Sequence, residues 1–341
     1  MIRSQRTIHP RDWSPGMRVG IVSSGSDTAY RFPGRARRAS AHLGSALGAD
    51  VQPMPAIGAG AGYRAMLPKD VARQLHSMFA DPEIGLIVVA IGGFNSNAVL
   101  AHLDWDLLSR YPTHLCGYSD ASALLLAIHA MTGQVVLHGP ALLPQWGDPR
   151  GPFPQTVNAL RHALSGDAER VLEYAGFWVD PRTDWSDDLP ERSFRDKEPI
   201  CAPWTTLQAG RARGRLVGGN IETVNMLIGT PWMPDFEDRI VFVEATGAEA
   251  YLPRLHRALT HLRDAGIFAK AKGLIVGRSP DAAPVAGVSI EAVIREVIEG
   301  CEFPAVMDVD IGHTEPMLTL PVGVEATLVA DAGAPRIVLH R

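Results

Sequence analysis

Apolar residues in this chain fall into short continuous runs separated by longer stretches at helical spacing, and that alternation predicts most of the fold. Met17–Ser24 (MRVGIVSS), residues 85–91 and Thr113–Cys116 read as buried strands. Arg35–Leu47, which stops before Gly48, and Val71–Phe79 read as helices, and Ala121–Met131 (ASALLLAIHAM) follows the third strand as another. Strands separated by helices predict a parallel, Rossmann-like or flavodoxin-like sheet. In the second half, Gly214–Asn220 precedes a helix over Ile221–Ile228. A strand at 239–243, a helix over Ala248–Ala265, a strand at Gly273–Val276 and a helix over Ile290–Ile298 come next. Terminal strands follow near Val324–Ala330 and Arg336–Leu339. This mixed pattern predicts a second, smaller α/β domain.

Between Glu173 and Gly210 neither period is present. Phe177, Trp178, Trp185 and Trp204 lie among Asp, Pro and Arg. A long irregular stretch of this kind is functional or a linker, and its aromatics would either stack a ligand ring or cover a seam between domains. The expected division is therefore an α/β domain over 1–168, an aromatic-rich segment over 169–210 and a C-terminal domain over 211–341.

Candidate chemistry begins at Gly117-Tyr118-Ser119-Asp120-Ala121. A serine on a tight strand-to-helix turn, with small residues two positions to either side, has the form of a nucleophile elbow. The following amide, that of Asp120, would lie at a helix N-terminus, where it can stabilise an oxyanion. A turn with an N-cap serine has the same local pattern. The Gly92-Gly93 pair after the strand at 85–89 permits close approach of a ligand and offers a second oxyanion donor. The apolar run at 239–243 ends on Glu244, so that carboxylate would emerge at a strand terminus. His313 sits in a loop between Gly312 and the pair Glu315-Pro316. Chain order Ser, acid, His suits a serine hydrolase triad, although with twelve histidines present spacing alone does not select His313. Asp308, Asp310 and His313 also form D-x-D-x-x-H, which fits no standard zinc template and is disfavoured as a metal site.

The segments IGGFNSN, GYSDASALLLAI with TGQVVLHGPAL, GRLVGGNIETVNMLIGTPWMP, FVEATG and DIGHTEPMLTLPVG together resemble the serine LD-carboxypeptidase family, and within it the microcin C immunity peptidase branch. The resemblance runs from about Val19 to Val329. It implies Ser119 as nucleophile, Glu244 as triad acid and His313 as general base, closing across a domain interface. Gly93 and Asp120 match the oxyanion donors. Gly92, Asn95, Trp185 and Asn220 match substrate-binding positions, with Trp185 placed to meet a nucleobase. No cofactor or metal is implied, and a homodimer is. The resemblance carries two enzymatic expectations. One is hydrolysis of the amide between a C-terminal aminoacyl group and a nucleotide-like moiety, detoxifying a peptidyl-nucleotide antibiotic. The other is removal of terminal D-Ala from a murein tetrapeptide. A catalytically idle peptide- or nucleotide-binding protein is the third reading. The chain departs from the branch in lacking a lysine shortly after Glu244. It departs again at His138, where an aromatic is common; that imidazole would either support the site or pack.

Composition narrows the classes. At 341 residues the chain can bury a large core, and a net charge of −5 with scattered Lys and Arg gives no nucleic-acid stripe or polybasic membrane patch. No apolar run approaches a membrane span. The first residues lack the apolar core of a signal peptide, giving a cytoplasmic expectation. Three dispersed cysteines, Cys116, Cys201 and Cys301, suit free thiols in a reducing compartment. The VGIVSSGSD turn lacks dinucleotide-binding spacing.

Overall fold

A computed structural model describes residues 6–54, 62–166, 169–185 and 192–340. Two sheets organise the chain. The first contains β1 (Arg18–Val22), β2 (Asp50–Val51), β3 (Ile84–Val89), β4 (His114–Gly117) and β5 (Val136–His138). They run parallel in the order β5-β4-β3-β1-β2, with helices in the connections. β3 and β4 are buried along their whole length, as a parallel strand covered on both faces requires.

The second sheet is mixed. Its strands are β6 (Glu169–Leu172), β7 (Thr205–Gln208), β8 (Gly210–Asn220), β9 (Arg239–Glu244), β10 (Gly273–Gly277), β11 (Ala305–Val309), β13 (Glu325–Ala330) and β14 (Arg336–His340), in the order β6-β14-β13-β8-β9-β10-β11-β7. β8 to β11 form a parallel centre, with antiparallel strands on both flanks. Among the described residues it has eight strands against six in the first sheet. Its extra members β6 and β7 come from the irregular 169–210 stretch. Both are partly exposed edge strands, so they lack the continuous apolar run that marks a buried one. One strand of the C-terminal stretch, β12 (Leu320–Val322), returns to the first sheet and pairs antiparallel with β5.

The helix Ser122–Thr132 joins the halves. It is apolar on nearly every face, and nine of its eleven residues are buried, the pattern of a helix covered all round. Gly133, at φ 76°, provides the left-handed residue that ends it. Its leucines belong to one buried apolar cluster that runs from Val22 and Leu75 through Leu124 and Leu125 to Leu216, Phe242 and Val293. The domains thus share a core across the line where the candidate site lies. Cys116 is buried in the first domain and burial pushes its thiol up, in keeping with a core position. No helix among the described residues is long and apolar enough to cross a membrane.

Candidate active site

Ser119 follows β4 directly and carries φ 60°, a left-handed conformation that costs a non-glycine residue free energy. A short 3-10 turn, Ser119–Ala121, then leads into the helix Ser122–Thr132. The small flanks have visible reasons. A Cβ on Gly117 would stand 3.0 Å from Val89 and 3.2 Å from Ala121. A Cβ on Gly92 would come within 3.0 Å of Ser119 Oγ, and one on Gly93 would collide with the backbone of Gly25. Gly92 is thereby packed against the serine and Gly93 against the Gly25 backbone.

The Asp120 carboxylate fixes that loop from the other side. Its Oδ2 accepts from Ser96 N at 3.0 Å and from Ser96 Oγ at 2.6 Å, and Ser24 Oγ lies 2.7 Å from the same hydroxyl. Burial pushes the Asp120 carboxyl up, and the Ser96 bonds oppose the shift. The side chain of the residue after Ser119 therefore ties the turn to the loop that carries Gly93. Sequence reasoning singled out the Asp120 amide and missed this role. The available signal was an acidic residue in a buried turn facing a Ser-rich loop.

Glu244 ends β9 and is buried at 1 % exposure. Its Oε2 lies 2.8 Å from His313 Nδ1. Burial pushes the Glu244 carboxyl up, but the charge and hydrogen bond of His313, with a contribution from His138, bring it below its ordinary range. The bond requires a proton on Nδ1 and leaves the Nε2 lone pair free. Gly312 and Gly277 make room for the carboxylate, since a Cβ at either would meet Glu244 atoms at 2.5 and 2.8 Å. The Tyr118 ring meets the His313 ring edge-on at 4.8 Å.

Ser119 and His313 line one cleft, of about 340 Å³, together with Gly92, Gly93, Phe94, Tyr118, Trp185 and Thr246. Of the expected site residues, Glu244 and Asp120 lie behind the cleft wall, and Asn95 and Asn220, expected to bind substrate, are not among those lining it either. Asn95 stands at the N-cap position of the short helix Ser96–His102 without a side-chain capping bond. Asn220 is 1 % exposed, and its Oδ1 accepts from Thr223 N as the N-cap of the helix Ile221–Leu227. Phe94, 82 % exposed at the rim, was not singled out from the sequence.

The aromatic segment divides. Trp204 Nε1 donates to Asp310 at 3.0 Å, Trp178 lies under the Arg278 guanidinium, and Phe177 packs on Phe153. The two indoles flank the buried Arg278–Asp310 pair, while Phe177 joins a separate apolar cluster with Phe153 and Phe194. Trp185 alone of the four faces the cleft, with its ring edge-on to Phe32 and covered on one side by Arg35 at 4.2 Å. Asp308 is engaged by Thr205, Asp310 by Arg278 and Trp204, and His313 by Glu244. No group of three metal-ligating side chains converges among the described residues. His138 is fully buried between Tyr118 and Phe242, and burial brings its imidazole down to about 4.

Residues 19–139 match the LD-carboxypeptidase N-terminal domain and residues 213–328 the LD-carboxypeptidase C-terminal domain. The chain belongs to the LD-carboxypeptidase family. Microcin C7 self-immunity protein MccF of Escherichia coli is 31% identical over 274 residues, 79% of this chain and 78% of its own. A Bacillus subtilis protein named "Probable murein peptide carboxypeptidase" is 28% identical over 94% of this chain and 91% of its own. The structure of MccF with glutamyl sulfamoyl guanosine superimposes with a TM-score of 0.87 at 27% identity, covering 97% of this chain and 98% of that one. MccF has also been solved with aspartyl sulfamoyl adenosine and, as a tryptophan-to-phenylalanine variant, with adenosine monophosphate. A further structure is an active-site mutant with a serine, an asparagine and a lysine replaced by alanine. Membership of this family and the match to MccF identify this LD-carboxypeptidase relative as a serine hydrolase.

Proposed function

We propose that the chain hydrolyses the amide joining a C-terminal aminoacyl group to a nucleotide-like moiety and so inactivates peptidyl-nucleotide antibiotics. The observation that carries this reading is the shared cleft, in which the Trp185 indole stands on the same walls as Ser119 and His313. Ser119 Oγ attacks the acyl carbonyl while His313 Nε2 takes its proton, and Glu244 stabilises the imidazolium through Nδ1. The amides of Gly93 and Asp120 meet the oxyanion. His313 returns the proton to the leaving nitrogen, and water releases the acyl group by the same steps. Arg182, the arginine of the cleft wall, is engaged by Asp180 and Asp281. It is therefore poorly placed to clamp the free carboxylate of a murein peptide, which argues against the tetrapeptide reading.

Replacing Trp185 with alanine tests the choice. Loss of a base-stacking ring should cost about 1–3 kcal/mol on aminoacyl-sulfamoyl adenosine, measured as kcat/KM, and much less on an L,D-tetrapeptide without a base. Equal losses on both would mean that Trp185 only packs the wall, and would favour the murein substrate. The same reading places the enzyme in the cytoplasm as a homodimer, which light scattering of the purified protein checks.

A further inference from the structure

Glu249 lies on the short turn Gly247–Ala250, which follows the cleft-lining Thr246. It is half-buried, and its Oε2 accepts a 2.6 Å hydrogen bond from Asn220 Nδ2. Asn220 is itself fixed to the elbow. Its N–H donates to Ser122 Oγ at 3.1 Å, and it stands in register beside Glu244. The Thr223 hydroxyl, capped by the same asparagine, reaches the carbonyl of Ser119 at 3.5 Å. Glu249 is thus anchored through one side chain to the turn that holds the nucleophile. It belongs to the second domain, whereas Trp185 leans on Phe32 and Arg35 of the first.

The charges around it are largely negative. Glu244 and Glu222 lie close enough to act on it, and His313 is the opposing group. Glu222 is paired with Arg254. Arg182, the one Lys or Arg among the described cleft-lining residues, is committed to Asp180 and Asp281. No lysine occurs between Glu244 and Lys270. MccF, solved with glutamyl and aspartyl ligands, has a lysine among the side chains altered in its active-site mutant. This chain presents a carboxylate beside the triad instead.

We infer that Glu249 determines acyl specificity, favouring substrates whose scissile acyl residue has a cationic side chain and disfavouring acidic ones. The inference rests on the peptidyl-nucleotide reading above. With the scissile carbonyl at Ser119, the acyl side chain occupies the space within a few ångströms of that carbon. From behind the wall at Thr246 the Glu249 charge then repels an acidic side chain there and attracts a cationic one, with no Lys or Arg of the cleft free to offset it. Such repulsion is an effective way to reject a competitor of similar shape. Burial, reinforced by Glu244 and Glu222 and opposed by the Asn220 bond, brings the Glu249 carboxyl up to about 7. At pH 8 it is therefore mostly ionised. Allowing for solvent screening of a half-exposed group, each sign of charge should be worth on the order of tenfold in kcat/KM.

The test compares aspartyl-, alanyl- and lysyl-sulfamoyl adenosine at pH 8 with the unaltered enzyme, Glu249→Gln and Glu249→Lys. The unaltered enzyme should prefer lysyl over alanyl over aspartyl. Glu249→Gln keeps an acceptor for Asn220 and removes the charge, so the lysyl-to-aspartyl ratio should collapse toward unity. Glu249→Lys should reverse it. A ratio that Glu249→Gln leaves unchanged, or an equal fall on all three substrates, overturns the inference and reduces Glu249 to a prop for Asn220. The alanyl compound separates the two levels. If it is cleaved and the ratio is flat, only the specificity inference fails. If the unaltered enzyme cleaves none of the three, the peptidyl-nucleotide reading fails and takes this inference with it.

Discussion

Changing Glu244 to glutamine removes one charge from the most deeply buried part of the candidate triad while preserving shape and hydrogen-bonding capacity. The carboxylate lies 2.8 Å from His313 Nδ1, with no solvent to screen the pair on the Glu244 side. When His313 takes the serine proton, two unit charges about 4 Å apart at an effective dielectric of about 20 attract by about 4 kcal/mol. Losing that attraction slows the step by about a thousandfold. A second loss comes from the amide NH₂, which can donate to Nδ1 and so favours the tautomer that has its proton on Nε2. That tautomer cannot accept from Ser119 Oγ. The two effects together predict a fall in kcat of roughly 10³–10⁴, read by steady-state hydrolysis of an aminoacyl-sulfamoyl adenosine. Circular dichroism and thermal melts establish that the variant is folded. Stability supplies an independent check of sign. Glu244 is held below its ordinary range, so its pairing stabilises the protein above the unfolded carboxyl pKa and ceases to do so as pH falls through the folded one. The Tm difference between the native chain and Glu244→Gln should therefore narrow in acid. A variant folded and active within tenfold of the native enzyme would show that His313 is not oriented by this carboxylate, and the triad assignment would fall.

Ser119→Ala should reduce turnover by on the order of 10⁴–10⁶ with little change in Tm, and near-native turnover would refute the elbow as the source of the nucleophile. Ser96→Ala removes the 2.6 Å bond to the buried Asp120 carboxylate. It should cost about 1.5–3 kcal/mol of stability and lower kcat more than it raises KM, because the loop bearing Gly93 loses its clamp; an unchanged kcat would refute the clamp. Glu315 is fully buried, and burial brings its carboxyl up to about 8, with Thr156 and Gln145 opposing. The folded state therefore keeps a proton that the unfolded state releases above its ordinary pKa, so stability falls as pH rises from there and levels off above about 8. Glu315→Gln should stabilise the protein at pH 8.5 by on the order of 2–4 kcal/mol and hardly at all at pH 4. Parallel melting curves for the two proteins at both pH values would contradict that buried proton.

The parallel centre of both sheets was legible because strands buried on two faces are written as unbroken apolar runs, as at 84–89 and 239–243. The serine was legible because a strained turn demands small neighbours, and Gly117, Ala121 and Gly92 are where such a turn needs them. His313 needed the family resemblance; one imidazole among twelve has no local mark of function. What was hidden shares one cause. The edge strands β6 and β7, the return of β12 to the first sheet and the hold of Asp120 on Ser96 all depend on partners distant in sequence. The residues alone did not separate the four aromatics of the irregular segment, and only the resemblance singled out Trp185; Arg278 and Asp310 claim Trp178 and Trp204, Phe177 packs on Phe153, and Trp185 is left to the cleft.

The segment bearing His313 is strung between the two sheets. It leaves the second at β11, ending at Val309, and enters the first at β12, beginning at Leu320. If His313 is the general base proposed above, the imidazole works as a gauge of how the domains are seated. A small slip of one sheet against the other would carry it away from Glu244, which rides on the second, and from Ser119, which rides on the first. Substitutions at the shared apolar boundary, such as those at Leu125 or Val217, would then silence the enzyme before they unfold it. Loss of turnover in an otherwise intact protein would be the earliest sign of domain misalignment.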